Sequence, residues 1–352
     1  MADQPGPGEG PPSPGRKAPG GQPAPTPHDA VFKRVFGVPA NAASQLRAVL
    51  PPDLAGRLDL GRLAPAPGSF VDGSLRWRHS DLLFTAPLDG HDAFVYVLVE
   101  HQSSDDPLMA YRMLRYVTRI WDQYEREHPK ARRLPAVIPL VVHHGRRQWA
   151  GPLQLLDVID LGPAAKEAAQ PYLPRFEFLL DDLSGVDDQQ LQDRHLTPLA
   201  EITLVLLRDA SGNPEIVARL RPRSGKLRAV LDQPGGVEAF IAILTYIEIV
   251  SDAPVGDLRD LAASLGPAAE EAYVTTAEML RAEGRVEGKA LGKALGKALG
   301  KAEDILVVFE QRGIDVDDKS RGLIESCTDL GTLNGWFRRA FKVGKASDLF
   351  EE

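Results

Sequence analysis

The sequence predicts an α/β core with a mixed central sheet flanked by helices, followed by a mainly α-helical C-terminal region. Three observations predict it. Phe94-Val95-Tyr96-Val97-Leu98-Val99 is a continuous β-branched and aromatic run, the pattern of a strand covered on both faces. Ala136 to His143 is a second strand-like run. Between them, Pro107 to Glu127 sets Met109, Met113, Tyr116, Val117, Ile120 and Tyr124 at helical spacing. The other side of that helix carries Arg112, Arg115, Arg119 and Arg126.

The elements follow in order. Residues 1–27 are dominated by Pro and Gly, have almost nothing to bury and read as a disordered tail. Asp29 suits the cap of a first helix carrying Val31, Phe32, Val35 and Phe36. Asn41 to Leu50 reads as a second, stopped by Pro51-Pro52. Phe70 to Trp77 is a weak strand pattern, Arg78 to Ala86 a better one and Ala93 to Gln102 a strong one. Asp89-Gly90 between the last two is a hairpin turn signal. Pro139 pushes the Ala136–His143 strand toward an edge or a bulge. The α/β core thus spans 28–150, and 151–287 reads as helical. Its helix-period segments are Gln189 to Asp209, Glu215 to Arg221, Val237 to Val250 and Ala268 to Arg285. Residues 288–302 repeat Gly-Lys-Ala-Leu with a four-residue period. Each Gly costs a helix roughly 1 kcal/mol against Ala, so the repeat reads as a marginal helix linking two parts. Residues 303–352 form a small helical module whose last helix starts at Ser326 or Thr328.

Composition narrows the class. An apolar content of 43% and a charged content of 26% are ordinary for a soluble globular protein. A single cysteine, Cys327, excludes an internal disulfide framework and fits a reducing, cytoplasmic setting. No signal peptide and no membrane-spanning run is visible. The net charge of −8 is uneven. From His28 to Ala150, 16 Lys and Arg stand against 13 Asp and Glu; from Gly151 onward, 23 stand against 34. The core is the mildly basic part, and an anionic polymer can bind there.

The chemistry concentrates in Ser80-Asp81-Leu82-Leu83-Phe84 and Val97-Leu98-Val99-Glu100-His101-Gln102-Ser103. Charged groups seldom lie inside a sheet without a partner. Residues two apart on a strand share a side, so Glu100 and Gln102 belong together, while His101 offers its backbone carbonyl between them. Asp81 on a neighbouring strand brings a second carboxylate. Two carboxylates, a carbonyl, water and a phosphate oxygen form the oxygen-rich shell Mg²⁺ prefers.

These residues carry a resemblance. His28-Asp29 with Phe32-Lys33, Asp81-Leu82-Leu83, Leu98-Val99-Glu100-His101-Gln102-Ser103 and Arg112 with Tyr116 resemble the Rpn/YhgA-like proteins. These are recombination-promoting nucleases, also called transposases, of the PD-(D/E)XK superfamily. The resemblance covers roughly 28–150 and implies a restriction-endonuclease-like core that cleaves DNA with Mg²⁺, or Mn²⁺ or Ca²⁺. By motif, Asp81 stands for the superfamily's first acid, Glu100 for its second and Gln102 for its usual Lys. That last departure replaces a positive charge with neutral hydrogen bonds. Arg76, Arg78, Arg112 and Arg115 are candidates to hold the DNA backbone, without reading sequence. Asp29 and Tyr116 are accessory candidates. DNA is the implied partner, a homo-oligomer through the C-terminal helices a further one, and a nucleoid location follows from DNA binding.

Plainer readings stand beside these. Asp81 also suits a turn cap or a pair with Arg78, and Glu100 an ion pair with Arg112 or Arg115. Adjacent strand residues point oppositely and no other ligand cluster lies nearby, so His143-His144 is not read as a zinc site. Cys327 has no catalytic company. The alternative function is a nuclease-like fold without catalysis, acting through DNA or protein contacts.

Overall fold

The computed structural model describes residues 26–66, 81–100, 106–145 and 147–350, with the side chains of 98–100, 283, 286, 287, 290 and 291 outside that description. Residues 1–25 of the expected tail and the Phe70–Trp77 strand lie outside the described residues, while Thr26 and Pro27, placed in the tail by the sequence, cap and open the first helix. The chain divides into two compact units, Met1–Glu270 and Glu271–Glu352.

The first unit is built on a five-stranded mixed sheet in the order β1-β2-β3-β4-β5. Its strands are β1 (Ala64–Pro65), β2 (Leu82–Leu88), β3 (His91–Glu100), β4 (Ala136–His143) and β5 (Leu179–Asp182). β1, β2 and β3 pair antiparallel. β4 runs parallel to β3, and β5 parallel to β4. Asp89 and Gly90 close the β2–β3 hairpin with φ of 48° and 82°, the left-handed backbone that a two-residue turn of this kind requires. A parallel neighbour cannot be reached by a hairpin, and the helix Met109–Glu127 makes the crossover from β3 to β4.

Strand alternation sorts the core. Leu83 pairs with Tyr96, and Tyr96 with Pro139. On their side of the sheet, Leu83, Phe94, Tyr96 and Val141 pack with Met109, Met113, Tyr116 and Ile120 of the crossover helix, closed by Leu155 and Phe178. Each of those large apolar side chains contributes about 1.5–3 kcal/mol by leaving water. The other side meets helices α1 (Pro27–Phe36) and α2 (Pro39–Val49) and the helix Pro198–Asp209. Two contacts tie it: Gln45 Nε2 donates to Asp181 Oδ2 of β5 at 3.0 Å, and His144 Nδ1 donates to the Leu207 carbonyl at 3.2 Å.

Several expectations need correction. Thr26, not Asp29, caps α1; Asp29 is the third helical residue and answers Thr26 in a reciprocal capping box. Pro139 lies in a strand with neighbours on both sides, neither edge nor bulge. It is tolerated because β5 pairs only with Leu140–His143 and leaves the Pro139 position free on that side. β5 itself arises from a stretch read as helical. The Gln189–Asp209 segment is two helices, Asp188–Asp193 and Pro198–Asp209, broken where His195 takes a φ of 50° and Thr197 caps the second.

The Gly-Lys-Ala-Leu repeat lies inside one continuous helix, Pro267–Gln311. Its Ala, Leu and Lys are strong helix formers and offset the glycines. In the second unit, Ile305 and Phe309 of that helix bury against Ile324, Leu333 and Leu349. Asp329, not Ser326 or Thr328, caps the helix Leu330–Ala340, accepting from Thr332 N. Hydrogen bonds from that cap hold the Asp329 carboxyl below its usual range. Among the described residues, no helix is long and apolar enough to cross a membrane.

Candidate functional site

The pairing of Leu82 with Val97 fixes the register at the end of the hairpin. One step further, Asp81 falls opposite position 98. Glu100 closes β3 two residues beyond, at a position of the same alternation as Tyr96 and position 98. Asp81 and Glu100 therefore occupy diagonal backbone positions, one just before β2 and the other at the end of β3. Across the sheet, Glu100 pairs with His143 of β4, and His143 with Asp182 of β5. The ends of three parallel strands thus line up Glu100, His143 and Asp182 in one row, with Asp81 beside it.

Asp81 is buried, at 8% exposure. The phenol of Tyr96, itself fully buried, lies close enough to feel the charge of that carboxylate. Burial first, then the charge of Asp81 and the proximity of Tyr116, push the Tyr96 phenol well above its ordinary pKa; Arg112 acts in the opposite direction. The Tyr96 and Tyr116 rings lie 5.1 Å apart, and Arg119 stands over Tyr116 at 5.8 Å. Tyr96 is a member of this cluster that the sequence reading treated only as core. Its signal was present: it shares the alternation of Glu100.

Arg112 does reach this cluster, but its ion pair is with Asp106, at 2.8 Å. Asp106 Oδ1 also accepts from Leu108 N at 2.9 Å, so this carboxylate both opens the crossover helix and holds Arg112. Arg115 is exposed and stands over the Tyr111 ring at 5.9 Å. Tyr116 faces inward, one turn from Arg112. Asp29 is held in its capping box. The side chain of Glu100, with His101, Gln102, Arg76 and Arg78, lies outside the described residues. Among the described residues, no three metal-ligating side chains converge.

This cluster holds a buried carboxylate that, together with burial, suppresses ionisation of the neighbouring phenol, and an Arg112 charge that acts the other way. Its hard oxygen donors are the kind that suit a divalent cation. In the same row, Asp182 is satisfied within the fold, accepting from Trp149 N at 2.8 Å and from Ser184 Oγ at 2.7 Å.

Comparison with known proteins adds independent findings. The profile of the family described as "Putative transposase, YhgA-like" matches residues 26–231. Recombination-promoting nuclease RpnD of Escherichia coli O157:H7 is 35% identical over 180 residues, 50% of this chain and 66% of the relative. Recombination-promoting nuclease RpnA of Escherichia coli strain K12 is 32% identical over 261 residues, 74% of this chain and 85% of the relative. A protein of the same strain named inactive recombination-promoting nuclease-like protein RpnE is 32% identical over 185 residues, 52% of this chain and 60% of the relative. The matched stretch thus spans under two thirds of RpnD and of RpnE. No solved structure matches the chain.

Proposed function

The chain belongs to the YhgA-like putative transposase family, and from that premise we propose that it is a divalent-metal-dependent DNA endonuclease with a recombination-associated role. The observation that supports the reading is the backbone register, which sets Asp81 and Glu100 at diagonal positions at the ends of β2 and β3. The order of elements supports a PD-(D/E)XK core, with an antiparallel three-strand meander, a crossover helix and a parallel fourth strand.

On this reading the carboxylates of Asp81 and Glu100 and the backbone carbonyl of His101 hold Mg²⁺, Mn²⁺ or Ca²⁺. The cation supplies acidification of water and neutralisation of charge at phosphorus. The buried Tyr96 phenol, held protonated by burial and by the Asp81 charge, places a neutral O–H rather than a second negative charge beside the Asp81 carboxylate. The Gln102 amide orients water or a phosphate oxygen through neutral hydrogen bonds. Arg115, exposed on the crossover helix, contacts the DNA backbone, as do Arg76 and Arg78. Arg112 acts mainly by ordering the start of that helix through Asp106. The protein works on nucleoid DNA, and pairs of chains join through the C-terminal helices.

The test is a supercoiled-plasmid nicking assay with the full chain and Mg²⁺, Mn²⁺ or Ca²⁺, against chelator. Nicking that needs the metal is expected. A second reading is favoured by the relative named inactive: a nuclease-like module that binds DNA without cutting it. Metal-independent, steeply salt-dependent retention of intact plasmid selects that reading.

A further inference from the structure

His143 closes β4 directly opposite Glu100 in the parallel register. It is 2% exposed. Its Nε2 lies 3.1 Å from the carbonyl oxygen of Arg147. A carbonyl only accepts, so Nε2 carries the hydrogen and donates it, and Nδ1 of the neutral ring presents a lone pair. That Nδ1 is buried and has no hydrogen-bond partner among the described residues.

The ring is firmly held. Trp149 packs against it edge-on at 5.3 Å, and Trp149 is itself pinned by its backbone bond to Asp182 and by its indole bond to the Gly151 carbonyl at 2.8 Å. Leaving a buried acceptor unmatched costs about 1–3 kcal/mol. Nothing in the packing asks for that cost: Val141, two residues earlier on the same side of β4, fills its place with an apolar side chain. His144 is turned to the other side, where its Nδ1 bonds Leu207 and its ring lies 5.0 Å from His28. The two histidines therefore do separate jobs.

An imidazole that ligates a metal ordinarily donates its other N–H to a carboxylate or backbone carbonyl, which fixes tautomer and orientation. The bond to Arg147 is of that kind. We propose that His143 Nδ1 is a nitrogen ligand at the Glu100 end of the candidate cation site, giving the site mixed oxygen and nitrogen character. The inference rests on the reading of Asp81 and Glu100 as the cation site and adds a ligand to it. It also sets the metal: nitrogen donors favour transition-series cations such as Mn²⁺ or Co²⁺ over Mg²⁺, whose preference is for oxygen.

The experiment is Mn²⁺ titration of the full chain, followed by pulsed electron paramagnetic resonance of the bound ion. One Mn²⁺ per chain with imidazole ¹⁴N coupling is expected. His143→Gln should abolish the coupling and weaken Mn²⁺ binding roughly tenfold or more. Mg²⁺ binding should change by no more than about twofold, since that cation gains little from nitrogen. His101→Gln should leave the coupling in place. Bound Mn²⁺ without nitrogen coupling, or coupling that survives His143→Gln, overturns the assignment and leaves the carboxylate site standing. No Mn²⁺ binding by the wild-type chain overturns both. If His143→Gln fails to fold, the wild-type spectrum still decides, because absence of nitrogen coupling there is sufficient to reject the ligand.

Discussion

Tyr96→Phe removes a single hydroxyl from the centre of the candidate site. The ring remains, so its packing against Tyr116 and the crossover helix is kept and no cavity opens. What is lost is the dipole of a buried phenol beside a buried carboxylate. That interaction, short of a full hydrogen bond to a charged group, contributes about 1–1.5 kcal/mol, and Asp81 has little water to replace it. Urea denaturation at pH 7 should therefore show a loss of that size. In a double-mutant cycle with Asp81→Asn, the two losses should fall short of additivity by about 1 kcal/mol or more. Burial of the phenol, reinforced by the Asp81 charge, predicts a pH dependence as well. The folded state holds the Tyr96 proton above its ordinary pKa, so above about pH 10 the unfolded chain loses a proton the folded chain keeps. Stability is then fully present below that pH and falls above it, by about 1.4 kcal/mol per pH unit for this group. Tyr246, raised by burial, adds a second slope of the same sign. Tyr96→Phe should remove one of the two. Additive substitutions together with an unchanged alkaline slope would refute the Tyr96–Asp81 contact.

Other perturbations test the frame around the site. Arg194 grips Asp181 of β5 through two bonds of 2.8 and 3.0 Å, and the carboxylate is 1% exposed. Arg194→Met should cost about 3–5 kcal/mol in a urea melt, and Asp181→Leu added to it should recover most of the loss, because an unpaired buried charge is the penalty. A Cβ at Gly236 would overlap the Val230 carbonyl oxygen, so Gly236→Ala should destabilise by about 1–3 kcal/mol in the same assay. Gly296 sits mid-helix with open space around it, and Gly296→Ala should raise stability by about 0.5–1 kcal/mol, read as an upward shift in thermal midpoint.

Much of the sheet's centre can be read directly from the chain. The β2–β3 hairpin follows from apolar runs on either side of Asp89-Gly90, and the crossover helix from Met109, Met113, Tyr116 and Ile120. Both patterns are local, and burial reinforces them. β5 escaped because it is four residues long and two of them, Asp181 and Asp182, are charged; Arg194 pairs with Asp181, and Gln45 and Trp149 donate hydrogen bonds to Asp181 and Asp182, partners distant in sequence. The break before Pro198 was legible, since Thr197-Pro198 is a helix start, but the long helical period on either side masked it. At the site, Asp81 and Glu100 drew notice as charges in apolar runs. Tyr96 did not, because an aromatic in a strand is ordinarily core, and His143-His144 is set aside because adjacent strand residues point oppositely and no other ligand lies nearby in sequence. Only the register, a long-range property, sets Tyr96 and His143 beside the acids.

The central claim is that Asp81 and Glu100 act as one unit on one cation. Plasmid nicking by Asp81→Ala, Glu100→Ala and the double substitution, at saturating Mn²⁺ and with folding checked by circular dichroism, tests it most directly. Residues that act as a unit are strongly non-additive, so each single substitution should cut the rate by roughly 10³-fold or more and the double should be little worse than either. Wild-type nicking rates in either single mutant, or losses that multiply in the double, would contradict it.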